Sequence, residues 1–305
     1  MAAQQSALSR ALDNRTTLGL LFMVPAAGLL LVFLTYPLGL GTWLGFTDAR
    51  IGRSGEWIGI ENFTYLWGDE VMRLAVFNTI FYTVVASVIK FGLGLWLALL
   101  LNKHLPFKAF LRAIVLLPFI VPTALSAIAF WWIYDSQFSI ISWALVKMGI
   151  ITTYIDFLGQ PWHARFATIA ANIWRGVPFV AITLLAGLQT ISPSYYEAAS
   201  LDGASDWQQF RFVTLPLLTP TMFFIVIILL INSFQVFDQF WLMPMPNSAA
   251  SRQVQVIVTE VVRDAFSYNR MGYASAMSWV LFILIFIITF VQLRFQKRWV
   301  HYETE

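Results

Sequence analysis

The chain has 305 residues, of which 59% are hydrophobic and only 11% are charged, with a formal net charge of +3. Soluble domains carry about 25% charged residues, so a chain this apolar requires lipid as the solvent for most of its length. Cysteine is absent, which excludes a disulfide framework and a thiolate metal site. The three histidines, His104, His163 and His301, are too far apart in sequence to suggest a ligand pair. We therefore expect an integral membrane protein with no metal site and no nucleic-acid partner.

Six stretches are long and apolar enough to cross a bilayer, which needs about 20 residues per helix. Backbone groups in lipid must be satisfied within a helix or a closed barrel, and these stretches are too long and too continuously apolar for barrel strands. The expected fold class is an all-α membrane protein, with a segment 1–17 before the first span and a tail 295–305 after the last. The predicted spans are 18–40, 76–101, 113–134, 166–188, 217–241 and 276–294.

The first span follows a basic flank of Arg10 and Arg15. Its apolar stretch exceeds the roughly 7–15 residues of a signal peptide, so we expect it to be retained. Lysine and arginine are enriched in cytoplasmic loops, and the break at 102–112 holds Lys103, Lys108 and Arg112 without an acid. An even number of spans with both termini in the cytoplasm fits this distribution, and it also places the loop 189–216 there.

That loop, between the fourth and fifth spans, is patterned rather than merely polar. Ser194 and Glu197 have the spacing of a capping box, in which each side chain bonds to the backbone of the other residue. Ser205 and Gln208 repeat the spacing, and Gly203 between the two pairs can adopt the left-handed conformation that often ends a helix. The loop is predicted to form two short helices with a bend at Gly203. A rigid, protruding helix pair suggests a docking surface, because preorganised elements lose less entropy on binding.

Single residues of the loop also have simpler interpretations. Glu197 is explained in part as a helix cap. The rings of Tyr195, Tyr196 and Trp207 suit a membrane–water interface, where such rings are enriched. Those interpretations do not account for a pair of helices in a protein with otherwise short loops.

The spacing Glu197-Ala198-Ala199, Gly203, Val213 and Leu215-Pro216 resembles the EAA loop of permease subunits of binding-protein-dependent ABC importers. The family usually has isoleucine at the position of Val213. The resemblance implies the type I ABC importer permease fold, with 18–294 as the permease domain and the loop as a coupling helix that binds a cleft in an ATPase subunit. The coupling residues it implies are Tyr195, Tyr196, Glu197, Ala198, Ala199, Leu201, Asp202, Gly203, Ala204, Leu215 and Pro216.

Four further segments resemble carbohydrate permeases of the maltose-importer type: Trp57–Phe63, Leu116–Pro122, Ile173–Phe179 and Met271–Met277. The chain departs from that group in two places. Residues 243–247 replace the Gly-Gly-Pro turn that often follows the segment at Phe237, and Lys90 stands inside the second span.

Partners are also implied by the resemblance. The chain has no P-loop sequence to hold phosphates, so ATP and magnesium are expected on two partner ATPase subunits and no cofactor on this chain, which would not be an enzyme. A second permease subunit in a heterodimer and a periplasmic or extracellular solute-binding protein complete the expected complex, in a bacterial or archaeal cytoplasmic membrane. The implied cargo is a sugar or a derivative such as a polyol, an oligosaccharide or a glycosyl-glycerol.

Ionisable residues inside spans are rare and costly, so each is a candidate for function. Lys90 and Asp238 differ in depth by ~16 Å at the rise of a straight helix, which argues against an ion pair. Lys90 is instead expected to extend toward the cytoplasmic interface or to meet a partner chain. Arg175, beside Trp174, either binds a hydroxylated or anionic ligand or satisfies backbone carbonyls freed by Pro178.

The fifth span carries a polar series of Asn232, Gln235, Asp238 and Gln239, of which the three amides share one helical face. They either line the pathway or bond between helices. Trp131, at the end of the third span, is a second aromatic candidate for the pathway, although a position in an interfacial aromatic belt is the favoured interpretation. The amphipathic stretch 253–271 is expected outside the bilayer, as a contact for the binding protein or a helix lying at the interface.

Two other classes of function remain open on sequence grounds. An ion-coupled secondary transporter of a small polar solute would use the intramembrane charges, but such carriers often show repeats, and none is apparent. An integral membrane enzyme would need a cluster of catalytic groups, and no such cluster stands out.

Overall fold

The computed structural model describes residues 14–103, 106–243 and 249–299. Within these residues the chain is helical, with two isolated bridges and no strand, so the all-α prediction is confirmed. Five helices are long and apolar enough to span a membrane, and a bent helix pair makes a sixth if it counts as one span. Predictions for residues 1–13, His104, the turn at 244–247 and the tail beyond 299, including His301, lie outside the described residues.

The chain divides into two compact units. The first combines residues 14–65 with Asp264–Trp279. It contains α1 (Arg15–Leu30), which continues through a π-helical turn at Leu31–Thr35 into α2 (Tyr36–Gly45), followed by α3 (Glu61–Gly68), whose last residues belong to the other unit. Of the most apolar window of the first span, none is buried inside the chain, as expected for a helix that faces lipid.

Two of the segments that resemble carbohydrate permeases pack within this first unit. The Trp57 ring stacks on Phe46 at 5.2 Å, and the Asn62 side chain donates to the carbonyls of Gly45 and Thr47, each at 2.9 Å. From the other segment, the Gly272 amide donates to the Ala49 carbonyl at 3.0 Å. Both segments therefore hold the turn after the first span.

The second unit combines Leu66–Arg263 with the remainder of the last span. Its helices are α4 (Glu70–Asn102), α5 (Lys108–Ile120), α6 (Thr123–Ile133), α7 (Ile140–Lys147), α8 (Pro161–Thr190), α9 (Pro193–Leu201), α10 (Asp206–Gln209), α11 (Leu215–Phe234), α12 (Asp238–Leu242), α13 (Ala249–Gln253) and α14 (Ile257–Val262). The last span is α15 (Met271–Trp299), which runs through both units.

The core of this unit is formed where α4, α8 and α11 pack, around fully buried Leu184, Leu218 and Ile225. Glycines let these helices approach closely, as small residues do in membrane proteins. A Cβ on Gly94 of α4 would lie 2.7 Å from Cβ of Val180 on α8, and one on Gly187 of α8 would lie 2.9 Å from a Leu218 methyl on α11. The tight packing fixes the positions of these three helices relative to one another.

The structure corrects the third predicted span, 113–134, which is not one straight helix. Helices α5 and α6 meet at an angle of 87°, and Val121 between them has extended backbone angles. The following Pro122 explains the break, because proline disfavours helical geometry in the residue before it. The fifth span is interrupted as well: α11 ends at Phe234 and α12 begins at Asp238.

Residues just before Arg263 are anchored to the ends of α4 and α8. The Asn78 side chain donates to the carbonyls of Gln253 and Gln255 at 2.8 Å each. Arg165 donates to Asn78 Oδ1 at 2.9 Å and to the Gln253 carbonyl at 2.7 Å. Val256 is fully buried, so this part of the amphipathic stretch packs against the helical core rather than lying free at an interface.

Candidate functional site

The loop between α8 and α11 forms the predicted helix pair, α9 and α10. Gly203 between them has φ +78°, the left-handed conformation that glycine adopts at no steric cost. The Ala204 amide donates to the Ala199 carbonyl at 2.9 Å and the Gly203 amide to the Ser200 carbonyl at 3.1 Å. These two bonds make a Schellman motif, which ends a helix and turns the chain sharply.

One of the two predicted capping boxes is present. The Ser205 amide donates to Gln208 Oε1 at 2.7 Å and the Gln208 amide to Ser205 Oγ at 3.4 Å. The other, between Ser194 and Glu197, is wrong, because α9 begins two residues earlier than that spacing implied. Its cap is Ser192, whose Oγ accepts from the Ser194 amide at 3.4 Å, with Pro193 in the first turn, where its missing N–H costs nothing.

The outer surface of the pair is apolar and exposed. Leu201 is 90% exposed and Trp207 65% exposed. The exposed Glu197 makes no hydrogen bond or ion pair within the part of the chain that the structure describes. Tyr196, by contrast, faces inward and bonds through its hydroxyl to Thr214 Oγ1 at 3.1 Å, which holds α9 against the start of the fifth span.

A cavity of about 430 Å³ lies among α4, α5, α6, α8, α11 and α12. It is bordered by both helix interruptions described above, the bend near Val121 and the break between Phe234 and Asp238. Irregular backbone at membrane depth is tolerated where it lines a cavity or is buried in protein. The lining consists of Lys90, Phe119, Thr123, Asn172, Arg175, Gly176, Phe179, Leu229, Asn232, Gln235, Val236, Phe237, Asp238 and Gln239.

Five of the seven residues predicted for the substrate pathway lie in this lining: Arg175, Asn232, Gln235, Asp238 and Gln239. Their contact with substrate stays a prediction. They do not share the face of one continuous helix, since α11 ends before Gln235.

The other two predicted pathway residues, Trp131 and Trp174, are absent from the lining, whose residues all belong to the described ranges. The Trp174 ring makes an edge contact with Phe130 at 5.3 Å, and Trp131 is 37% exposed. Their role in the pathway also stays a prediction.

Lys90 occupies a different position from the one expected. It is 4% exposed, and its ammonium donates to Asn172 Oδ1 at 2.9 Å and lies 3.5 Å from Ser233 Oγ. The expectation that it extends to the membrane interface is therefore wrong: a hydrogen-bond acceptor on α8 meets it inside the helix packing. Within the described residues, no ion pair within 4.0 Å joins Lys90 to Asp238, in agreement with the depth argument.

Gly176 makes room for the lysine side chain. A Cβ at this position would lie 2.6 Å from Lys90 Cδ, so the absence of a side chain lets Lys90 cross the surface of α8. Asn172 and Gly176 are one helical turn apart and face the same way. The sequence contained both, but nothing in it pointed to Lys90 as their partner.

Arg175, at the centre of the 30-residue α8, contacts two residues of the bent helix pair. Its Nε donates to the Val121 carbonyl at 3.2 Å, and its guanidinium lies 5.6 Å from the centre of the Phe119 ring. The carbonyl that it satisfies belongs to the bend between α5 and α6, not to the turn of α8 that Pro178 disrupts. The terminal nitrogens make no hydrogen bond among the described residues, so they are available to the cavity.

These features define a class: a helical membrane permease with a cavity between its spans and a rigid, protruding helix pair. The model of the family described as binding-protein-dependent transport system inner membrane component matches residues 90–301. The chain belongs to this family, as its EAA-like loop predicted.

Individual relatives cover almost the whole chain. The trehalose/maltose transport system permease protein MalF of Thermococcus litoralis is 32% identical over 282 residues, covering 91% of this chain and 92% of its own. The sulfoquinovosyl glycerol transport system permease protein SmoG of Agrobacterium fabrum is 30% identical, covering 91% and 89%. A chain of a bacterial ABC transporter involved in the import of the acidic polysaccharide alginate matches with a TM-score of 0.82 at 25% identity, covering 95% and 98%.

Proposed function

We propose that this chain is the transmembrane permease subunit of an ATP-driven importer and forms half of the translocation pathway for a sugar or a sugar derivative. It would open the pathway to each side of the membrane in turn, driven by ATP hydrolysis on separate subunits. Membership of a binding-protein-dependent transport family supports this proposal. The ion-coupled carrier considered from the sequence is not favoured, because it leaves the helix pair unexplained.

The observation that carries the proposal is the preorganised surface of α9 and α10. Leu201 is exposed at the end of α9, and the unpaired carboxylate of Glu197 lies on the same helix. An apolar anchor with an adjacent free charge is typical of a protein interface with a polar rim. An ATPase subunit that binds this surface would move the fifth span directly, because α10 continues into α11 through the π-helical turn Phe210–Thr214.

The cargo proposal rests on the relatives and on the cavity. Trehalose or maltose, sulfoquinovosyl glycerol and alginate appear in the names of three similar transport proteins. The cavity provides amide groups from Asn172, Asn232 and Gln235 together with the rings of Phe119 and Phe179. Amides bond to hydroxyl groups and rings pack on apolar sugar faces, so oligosaccharides, polyols and glycosyl-glycerols all fit this chemistry.

The remaining parts of the complex follow from the same proposal. A second permease subunit would complete the pathway, a solute-binding protein would deliver the cargo, and two ATPase subunits would hold ATP and magnesium. Both termini and the α9–α10 loop would then face the cytoplasm. No cofactor is assigned to this chain.

Reconstituted vesicles test the proposal. The chain is purified with the second permease subunit, the ATPase subunits and the binding protein produced alongside it, and uptake of the binding protein's radiolabelled ligand is measured. We expect uptake that requires ATP on the side of the membrane where the ATPase subunits lie. Uptake should stop when the ATPase is inactivated. Glu197→Lys should lower both uptake and ligand-stimulated ATP hydrolysis, whereas Glu56→Lys, at an exposed acid of the other unit, should leave both unchanged.

Two results would contradict the proposal. Uptake by this chain alone, driven by an ion gradient without any ATPase, would make it a secondary transporter. Full retention of ATP-dependent uptake in Glu197→Lys would show that the α9–α10 surface is not where the ATPase binds.

A further inference from the structure

The charges that line the cavity do not balance. Lys90 and Arg175 are its two cations, and Asp238 is the single carboxylate among the lining residues, all of which are described. One unit of positive charge is therefore left over. Lys90 is almost completely buried, and Asp238 makes no ion pair within the described residues that would neutralise it.

Hydrogen-bond donors in the cavity are also in excess. Gln239 is 1% exposed, and its Nε2 has no hydrogen-bond partner in the described part of the chain. Buried amide donors are nearly always paired, so this group points to a ligand acceptor. The terminal nitrogens of Arg175 add further unused donors on the opposite helix.

Uncompensated positive charge between membrane spans costs free energy unless a ligand or a counter-charge offsets it. An oxyanion accepts several hydrogen bonds at once and gives the strong, charge-assisted kind with lysine and arginine. A neutral sugar hydroxyl would satisfy the donors but leave the charge in place.

We propose that the cavity recognises an acidic sugar derivative, whose carboxylate, sulfonate or phosphate group binds between Lys90, Arg175 and Gln239. The neutral part of the cargo then contacts Asn232 and Gln235 at the helix break. This inference rests on the proposed function and narrows its substrate class, because a neutral sugar would leave the excess positive charge of the cavity uncompensated.

Three acid and neutral pairs test the proposal by direct binding to the purified transporter complex in lipid nanodiscs. They are glucuronate and glucose, cellobiouronate and cellobiose, and sn-glycerol 3-phosphate and glycerol. Dissociation constants are measured without the binding protein, so that its own selectivity does not enter. We expect the acid of at least one pair to bind about 10- to 100-fold more tightly than its neutral partner, the range for hydrogen bonds to charged groups.

Variants assign the preference to the cavity. Lys90→Met should abolish the difference within the pair, whereas Lys147→Met, at an exposed lysine on α7, should retain it. Asp238→Asn should strengthen binding of the acid, because it removes the single negative charge. If Lys90→Met does not assemble, Lys90→Arg and Asp238→Asn still decide the question, since both are expected to keep or increase the preference.

The inference is overturned if no acid binds more tightly than its neutral partner, if Lys90→Met leaves the preference intact, or if Asp238→Asn weakens it. Failure of ATP-dependent uptake is a separate result: it would contradict the proposed function, whereas the binding comparison would still report on the charge of the cavity.

Discussion

Replacing Gly203 by alanine should weaken the proposed ATPase-binding surface of α9 and α10 through backbone conformation alone. Gly203 has φ +78°, and a Cβ added there would meet nothing within 4 Å, so no steric clash contributes. An L-residue in the left-handed region costs about 1–2 kcal/mol. The variant can relieve this strain by leaving the Schellman geometry, and docking must then restore it.

The expected loss follows from that strain. About 1–2 kcal/mol corresponds to roughly a 5- to 30-fold change in an equilibrium constant, so the affinity of the ATPase subunit for Gly203→Ala should fall by up to that factor. Asparagine tolerates the left-handed region better than other residues, and Gly203→Asn should lose less. Gly203→Pro, whose ring fixes φ near −65°, should lose most.

Binding of purified ATPase subunits to the permease in nanodiscs, with ligand-stimulated ATP hydrolysis as a second measurement, gives this order directly. Gly68→Ala is the matched control, because Gly68 also has open space around it but no positive φ. Equal affinities for glycine and alanine at 203 would refute the reasoning. Equal losses of affinity for asparagine and alanine would show that the addition of any side chain at 203, rather than the backbone angle, weakens binding.

Three further predictions test the helix packing and the cavity. Gly94→Leu should destabilise the complex in a thermal unfolding assay, because its side chain would collide with Val180. Gly92→Leu is the control: a Cβ at Gly92 meets nothing within 4 Å, so this variant should unfold at the temperature of the unchanged protein. Equal stability of the two variants would contradict the packing. Arg165→Met should lower the stability by about 3 kcal/mol, since it removes two hydrogen bonds and leaves the Asn78 Oδ1 acceptor unsatisfied. Unchanged resistance of the 249–262 segment to proteolysis would argue against the anchoring role of Arg165. Gly176→Ala should displace the Lys90 side chain that crosses it and lower ATP-dependent uptake with little loss of expression. Normal uptake would show that Lys90 can shift without consequence.

The loop between α8 and α11 illustrates what local rules can predict from sequence. Gly203 and the Ser205–Gln208 box depend on interactions within a few residues, and both were predicted with their correct geometry. The start of α9 was misplaced by two residues because Ser192 and Ser194 are both good caps. The choice between them depends on Pro193, which favours the first turn of a helix and therefore indicates Ser192 as the cap.

The break in the fifth span could not be predicted in the same way. Gln235, Val236 and Phe237 include neither proline nor glycine, so nothing local ends the helix there. Val236 is buried in the cluster that contains Tyr82, and Gln239 is enclosed after it. Packing against other helices therefore decides the conformation of this segment, and such packing overrides intrinsic helix propensity.

The two interruptions also explain why Lys90 and Arg175 were hard to interpret from sequence. Depth counted along straight helices correctly predicted that Lys90 and Asp238 form no ion pair. It gave no indication that two helices break beside the same cavity. Arg175 combines both roles considered from the sequence: its Nε satisfies the Val121 carbonyl, and the residue also lines the cavity. Because one guanidinium has both tasks, Arg175→Lys should damage the bend and the binding of an acid together.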